Sequence, residues 1–136
     1  MLLGALLLMV AGCNDLPRDP AGTTERVKRS GSILVGMVAG DDYQVADAIL
    51  QRVASRNEAD VRVYAGSAEE LLTALEKGRL DLVYGEFAKS SPWSRRVHLS
   101  PPLGRRKIVG TDENVPRFAF RNGENGWIML VQEEIR

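Results

Sequence analysis

Few side chains of this 136-residue chain have the type and spacing that metal or catalytic chemistry requires. Cys13 is the only cysteine and His98 the only histidine, which excludes an intrachain disulfide, a cysteine-rich zinc site and a two-histidine metal centre. His98 belongs to no recognisable nucleophile–base motif, and no pair of carboxylates or serine–histidine–aspartate set has a recognisable spacing. The sequence therefore predicts a protein that is not an enzyme and that uses no cofactor and no metal ion.

The charge balance argues against nucleic-acid binding. The chain has 18 Lys and Arg against 18 Asp and Glu, so its formal net charge is +0, whereas nucleic-acid binders carry a basic excess. Hydrophobic residues make up 44% and charged residues 26% of the chain, which is the ordinary range for globular domains. At this length, the composition predicts one folded domain.

The N-terminal segment has the features of an export signal. Residues 1–12 (MLLGALLLMVAG) are apolar or small, and the run is too short to span a bilayer but has the length of a secretory signal core. The following tetrapeptide Val10–Cys13 (VAGC) resembles the bacterial lipobox, in which the leader is removed and the cysteine is acylated. This resemblance implies a signal peptide over 1–12 and a lipid anchor at Cys13. The alternative is a buried N-terminal helix with a free thiol.

The segment after the cysteine is predicted to be a tether. Residues 13–30 contain two prolines and alternating charges without apolar periodicity. We therefore expect the folded domain to cover residues 31–136 and to begin at Gly31.

Strand and helix patterns alternate from that point. Short apolar runs at Ile33–Val38, Val61–Tyr64 and Leu80–Tyr84 predict three strands. The helix after the first strand is expected to be capped by Asp41 or Asp42, and Ser67 with Glu70 forms a capping-box pattern that opens the second helix. This order is typical of a parallel sheet covered by helices.

The last third of the chain has a different pattern. Arg106–Val109 and Arg117–Phe120 flank the polar segment Gly110–Pro116, which predicts an antiparallel hairpin. Trp127, Val131 and Ile135 are spaced by four, as on one face of a final helix. The predicted fold class is therefore a three-layer α/β sandwich with a mainly parallel sheet and one antiparallel hairpin.

Two residues stand out as candidates for binding. Glu86 follows the third predicted strand, at the edge where open parallel sheets place binding residues, although a single carboxylate in a loop is also commonly just solvated. Trp93 lies between Pro92 and Ser94 without the periodicity of a core residue, which predicts an exposed contact with a partner.

Four segments carry a resemblance to a known family. They are GSILVGM at 31–37, LLTALEKGRLD at 71–81, RRVHLSPP at 95–102 and FAFRNGEN at 118–125. They resemble segments of the extracellular solute-binding proteins of bacterial uptake transporters, in particular the type II family that captures amino acids. Complete members of that family close two lobes over a solute. The resemblance here implies the first lobe alone, with the second lobe replaced by a turn near residues 110–116.

The resemblance also implies a ligand half-site. Tyr43 stands where the family carries an aromatic residue that stacks on the ligand, and Glu86 and Ser91 are expected to border the same site. Family members bind the ligand carboxylate with an arginine, a pairing that suits the guanidinium fork. Arg95 is the candidate for that role here, and the alternative is that Arg95 is an exposed surface residue.

The implied function is that of a membrane-anchored, non-catalytic solute-binding lipoprotein. It would lie on the periplasmic or cell-surface face of a bacterial membrane and assist a transporter of amino acids or similar small polar solutes. The alternative is a degenerate lobe that docks on a membrane transporter as a regulatory module, with Trp93 in the contact. A third possibility is a non-catalytic relative of cell-wall lytic enzymes.

Overall fold

The computed structural model describes residues 17–104 and 113–136. Five strands form one sheet in the order β2-β1-β3-β5-β4. The helices and strands are α1 (Thr23–Ser30), β1 (Ser32–Val38), α2 (Gln44–Arg56), β2 (Asp60–Gly66), α3 (Ala68–Glu76), β3 (Leu82–Phe87), β4 (Val97–Leu99), β5 (Val115–Arg121) and α4 (Asn125–Gln132), with short 3-10 helices at Pro92–Arg95 and Glu133–Ile135.

The parallel half of the sheet is confirmed. β1 pairs in parallel with β2 on one side and with β3 on the other, so that Val35 lies opposite both Val63 and Leu82. A strand in this position is covered by helices on both faces, which explains why β1 is apolar along most of its length. The carboxyl ends of β1, β2 and β3 therefore meet at one edge of the sheet, and their amino ends meet at the other.

Two apolar layers complete the predicted sandwich. On one face, β1, β3 and β5 pack against α2 and α4 through residues such as Leu50, Phe118 and Trp127. On the other face, α3 packs through Leu72 and Leu75 against β3 and β5. The three-layer α/β fold with a mainly parallel sheet is therefore as expected.

The antiparallel part of the sheet differs from the predicted hairpin. β5 pairs antiparallel with β3 and with β4, and β4 is a strand of three residues that the sequence did not predict. The expected partner strand Arg106–Val109 and the first three residues of the predicted turn, 110–112, lie outside the described residues. Val115 and Pro116, which were assigned to the turn, are the first residues of β5.

The tether prediction is wrong at its C-terminal end. Thr23–Ser30 forms a helix, and its one apolar residue, Val27, is fully buried in the core. Arg26 forms an ion pair with Asp81, whose side chain is 2% exposed. The residues of α1 show no apolar helical periodicity, because α1 is held by polar contacts to distant residues rather than by an apolar stripe. The folded part thus includes α1 and does not begin at Gly31.

The predicted helix starts fare differently. Ser67 and Glu70 form the expected reciprocal capping box at α3, and Gly78 follows that helix with a left-handed φ of 74°. At α2 the helix begins at Gln44 after Tyr43, and the Tyr43 side chain makes no capping hydrogen bond to the helix. Asp42 Oδ1 accepts a hydrogen bond from Gln44 N at 3.1 Å, so an aspartate does help to begin the helix. Over the described ranges, no helix is long and apolar enough to cross a membrane.

Candidate functional site

The loop between β1 and α2 lies at the carboxyl edge of the sheet. Tyr43 is half-buried there, and its hydroxyl donates a hydrogen bond to the carbonyl oxygen of Val38 at 3.0 Å. Its ring contacts the ring of Tyr84 edge to face, with 5.8 Å between centroids. Tyr84 belongs to β3 and is 1% exposed. Tyr43 therefore has a fixed position at the end of β1, next to the end of β3.

Two hydrogen bonds hold this loop against β3. The Tyr84 hydroxyl donates to the carbonyl oxygen of Asp42, and the backbone N–H of Glu86 donates to Asp41 Oδ2 at 2.9 Å. The effect is to gather the carboxylates of Asp41, Asp42 and Glu86, which we call the acidic edge. Asp42 and Glu86 are exposed and Asp41 is half-buried. The sequence predicted Glu86 as a site residue but assigned the two aspartates only to helix capping.

The negative charge of the acidic edge affects the pKa of Tyr84, which is buried beneath it. Burial raises the pKa of Tyr84 to about 12, with further contributions from the negative charges of Asp41, Asp42 and Glu86. A phenolate at this position would face three carboxylates, so the neutral form is favoured. The same negative potential attracts cations, and ammonium and guanidinium groups form strong charge-assisted hydrogen bonds with carboxylates.

Ser91 and Arg95 lie elsewhere. Arg95 is exposed, and its carbonyl oxygen accepts a hydrogen bond from Asn122 Nδ2 at 3.5 Å. Asn122 follows Arg121, which lies at the amino edge of the sheet. Glu86 instead pairs with Pro116, which precedes Arg121 by five residues on β5. At about 3.4 Å per residue, the two positions are separated by about 17 Å along the strand. The expected grouping of Arg95 with Tyr43 and Glu86 is therefore not formed.

The two residues share a different cavity. Ser91 Oγ accepts a hydrogen bond from Trp93 N at 3.3 Å and so caps the 3-10 helix at Pro92–Arg95. Ser91 and Arg95 line a shallow cavity of about 500 Å³ together with Ser90, Pro92 and Ser94. The sequence could not separate this cavity from the acidic edge because the path of the loop from β3 to β4 depends on pairing with β5.

Trp93 does not have the exposure expected of a partner contact. It is half-buried and packs against the α3-side core. The guanidinium of Arg96 lies over its ring at 4.4 Å from the centroid and also pairs with both carboxylate oxygens of Glu76 on α3. Trp93 therefore fixes the loop to the sheet and to α3, and it is less exposed than the sequence predicted; its contact with a partner stays a prediction.

His98 lies on β4 with its Nε2 3.1 Å from Nε2 of Gln132. Burial lowers the pKa of His98 below its ordinary value. In the portion of the chain covered by the structure, no group of three or more His, Cys, Asp or Glu side chains is placed to hold a metal ion. Cys13, the predicted lipidation site, lies outside the described residues.

Comparison with known proteins identifies the fold. No protein-family model matches the chain. No curated protein matches it either. Among solved structures, the arginine-bound form of domain 1 from TmArgBP, the arginine-binding protein of T. maritima, superposes with a TM-score of 0.67 at 17% identity, covering 82% of this chain and 96% of that domain. A point mutant of the same arginine-bound domain gives a TM-score of 0.68 at 17% identity and covers 83% and 95%.

A longer protein in the same group is described as an ancestral cationic amino acid solute binding protein. Its TM-score is 0.50 at 18% identity, and the match covers 59% of this chain and 40% of that one. The chain thus has the fold of one lobe of a periplasmic binding protein, and it superposes on domain 1 of TmArgBP.

Proposed function

We propose that this protein is a lipid-anchored, solute-binding lobe that binds amino acids with a basic side chain at the acidic edge. The observation that carries the proposal is the convergence of Asp41, Asp42 and Glu86 beside Tyr43 at the carboxyl ends of β1 and β3. Open α/β sheets bind ligands at this edge, outside the carboxyl ends of the strands.

The chemistry of the edge favours a cationic group. Three carboxylates without a basic partner among the described residues leave a net negative charge that an ammonium or guanidinium would neutralise. A cation at an aromatic ring gains a further contribution of about 0.5–1 kcal/mol at an exposed site. We assign the solute contacts to Glu86 and Tyr43, and we do not assign them to Ser91 and Arg95, because that pair lies at a different level of the sheet.

The comparisons support the class of solute and the use of one lobe. The domain 1 structure of TmArgBP is described as arginine-bound, although it is a single domain. A second neighbour is described as a cationic amino acid solute binding protein. A lobe of this fold without its partner lobe leaves one side of the ligand in solvent, so we expect weak binding, with dissociation constants on the order of millimolar.

We further propose that Cys13 is acylated and holds the lobe at the outer face of a bacterial membrane, where it serves a transporter of amino acids. The lipobox-like tetrapeptide at Val10–Cys13 supports export and anchoring. The protein would act by binding, without catalysis. The docking alternative is less favoured because Trp93, its proposed contact, is half-buried and packs against the α3-side core.

Thermal unfolding of the full chain with single amino acids tests the solute class. At about ten times the dissociation constant, a bound ligand stabilises by about 1.4 kcal/mol, which raises the melting temperature of a domain of this size by about 6 °C. We expect this rise with arginine or lysine, and little change with glutamate.

Two variants make the test specific. Glu86→Gln should remove most of the rise, whereas Glu133→Gln, which changes an exposed carboxylate on the last 3-10 helix, should leave it intact. A melting temperature that no amino acid changes at about 10 mM would contradict solute binding and favour the docking alternative.

A further inference from the structure

The amino edge of the sheet is closed by α1. This helix crosses beneath the strands: Arg26 pairs with Asp81 just before β3, and Gly31 leads directly into β1. Its own start is fixed to the start of α4 by the carboxylates of Glu124 and Asp19. Glu124 accepts hydrogen bonds from Ala21 N at 2.7 Å and Thr23 N at 3.0 Å. We call the outer surface of this edge the base, and define it by Arg18, Lys28, Arg29 and Arg121.

The base carries unpaired positive charge. Arg18, Lys28 and Arg29 are exposed and Arg121 is half-buried. Across the described residues, none of these four side chains forms an ion pair. Glu25 is the exposed carboxylate on α1, and the carboxylates of Asp19 and Glu124 are turned inward onto backbone amides. Glu58 and Asp60, at the start of β2, are further exposed carboxylates at this edge, and Lys77 and Arg79, on either side of Gly78 next to Arg121, add two exposed positive charges. Among the described residues, positive side chains therefore outnumber carboxylates at this edge, whereas the opposite edge carries the three carboxylates of the acidic edge.

The chain that leads to Cys13 leaves the lobe at the base. Asp19 is fixed there, because its Oδ1 accepts from Trp127 N at 2.9 Å and its Oδ2 from Thr24 N at 3.1 Å. Cys13 precedes Asp19 by six residues, a distance that covers at most about 22 Å when fully extended. The six steps along β1 from Ser32 to Val38 cover about 20 Å, and the acidic edge lies beyond Val38. Only a fully extended connection could therefore bring the acidic edge to the membrane, whereas the base needs no such extension.

From the charge of the base and the reach of this connection, we propose that the base lies on anionic lipid headgroups and that the acidic edge points away from the membrane. The inference rests on the acylation of Cys13 proposed above. Arginine and lysine near an anionic leaflet are each attracted by about 1 kcal/mol, which is a factor of about five in the equilibrium. The three carboxylates of the acidic edge are repelled by the same surface. The solute site then opens to the aqueous side.

The acylated full chain in vesicles provides the test. Because Cys13 is the only cysteine and is acylated, Ser30→Cys on α1 and Ala39→Cys at the acidic edge can each be labelled singly with a fluorophore. Vesicles contain phosphatidylcholine with or without phosphatidylglycerol, and a nitroxide on the headgroup quenches nearby fluorophores. With phosphatidylglycerol, we expect quenching at position 30 to exceed that at position 39 several-fold.

Charge variants connect this orientation with the base. Lys28→Gln with Arg29→Gln should lower the equilibrium constant for the base-down orientation by about 25-fold, at about five-fold per residue. Lys89→Gln, an exposed lysine two residues after β3, is the matched control and should have no effect. Equal quenching at positions 30 and 39 overturns the proposed orientation. So does a difference in quenching that stays the same when phosphatidylglycerol is left out and when Lys28 and Arg29 are both replaced.

Flotation with neutral phosphatidylcholine vesicles separates the two proposals. Loss of flotation in Cys13→Ser supports the anchor. If the parent chain with Cys13 intact does not float, or if Cys13→Ser floats equally well, the anchor is refuted and the orientation with it. If the anchor holds and the quenching is equal at both positions, the orientation alone is refuted.

Discussion

Replacement of Glu124 by alanine tests whether α1 belongs to the folded lobe. The Glu124 side chain is buried, with the residue 2% exposed, and it accepts hydrogen bonds from two backbone amides at the start of α1. Loss of a buried hydrogen bond to a charged group lowers the free energy of unfolding by about 1.5–3 kcal/mol. Ala21 is exposed, so water replaces part of its bond. We therefore expect Glu124→Ala to lower the free energy of unfolding by about 2–3 kcal/mol.

Urea unfolding measures this loss. With a denaturant slope of about 1.5 kcal/mol per molar, the midpoint should fall by about 1.5 M. Glu124→Gln keeps one acceptor oxygen and should have a smaller effect. Amide hydrogen exchange in α1 should accelerate, since the start of the helix is released.

The exposed Glu133 provides the control, and Glu133→Ala should change the midpoint little. Equal midpoints for Glu124→Ala and Glu133→Ala, or amide exchange in α1 of the parent chain as fast as in an unstructured peptide, would contradict a folded α1. Either result would mean that Thr23–Ser30 belongs to the flexible tether, as the sequence predicted.

Three further predictions concern individual contacts. Arg26→Ala leaves the buried carboxylate of Asp81 without its ion-pair partner, with the hydrogen bond from Leu34 N at 2.7 Å retained, and should cost about 2 kcal/mol in urea unfolding, with partial recovery when Asp81→Asn is added. Because the pKa of Tyr84 is raised to about 12 in the folded protein, from 10.0 in the ordinary group, stability should be lost as pH rises from about 10 to about 12. Tyr84→Phe should flatten that part of the pH dependence, and an unchanged slope would rule out this cause. Ser67→Ala removes the capping box of α3 and should lower stability by about 1 kcal/mol in the same urea assay, with no loss if the cap contributes nothing.

The parallel half of the fold could be predicted from the sequence because its signals are local. β1 is a short branched apolar run between polar segments, and α3 has its own capping box and a glycine after its last turn. Each element is recognisable without knowledge of its neighbours. The three-residue β4 is different, because it exists only through pairing with β5, and its sequence carries no strand signal of its own.

The errors at α1 and at the site have a common physical cause. Glu124 and Asp19 both hold the segment at the start of α1 against the start of α4, which comes more than 100 residues later in the sequence. The acidic edge likewise depends on Tyr84 and Glu86 drawing the loop at Asp41 onto β3. A pair of aspartates after a strand was visible in the sequence, and so was Glu86, but their proximity required the register of β1 against β3.

A titration of the full chain with L-arginine, followed residue by residue through its backbone amide resonances, tests whether the acidic edge is a solute site. We expect saturable shifts confined to Gly40–Gln44 and Glu86, which weaken in Glu86→Gln. Shifts centred on the Ser91 and Arg95 cavity, or no shifts with any basic amino acid at about 20 mM, would contradict a solute site at the acidic edge.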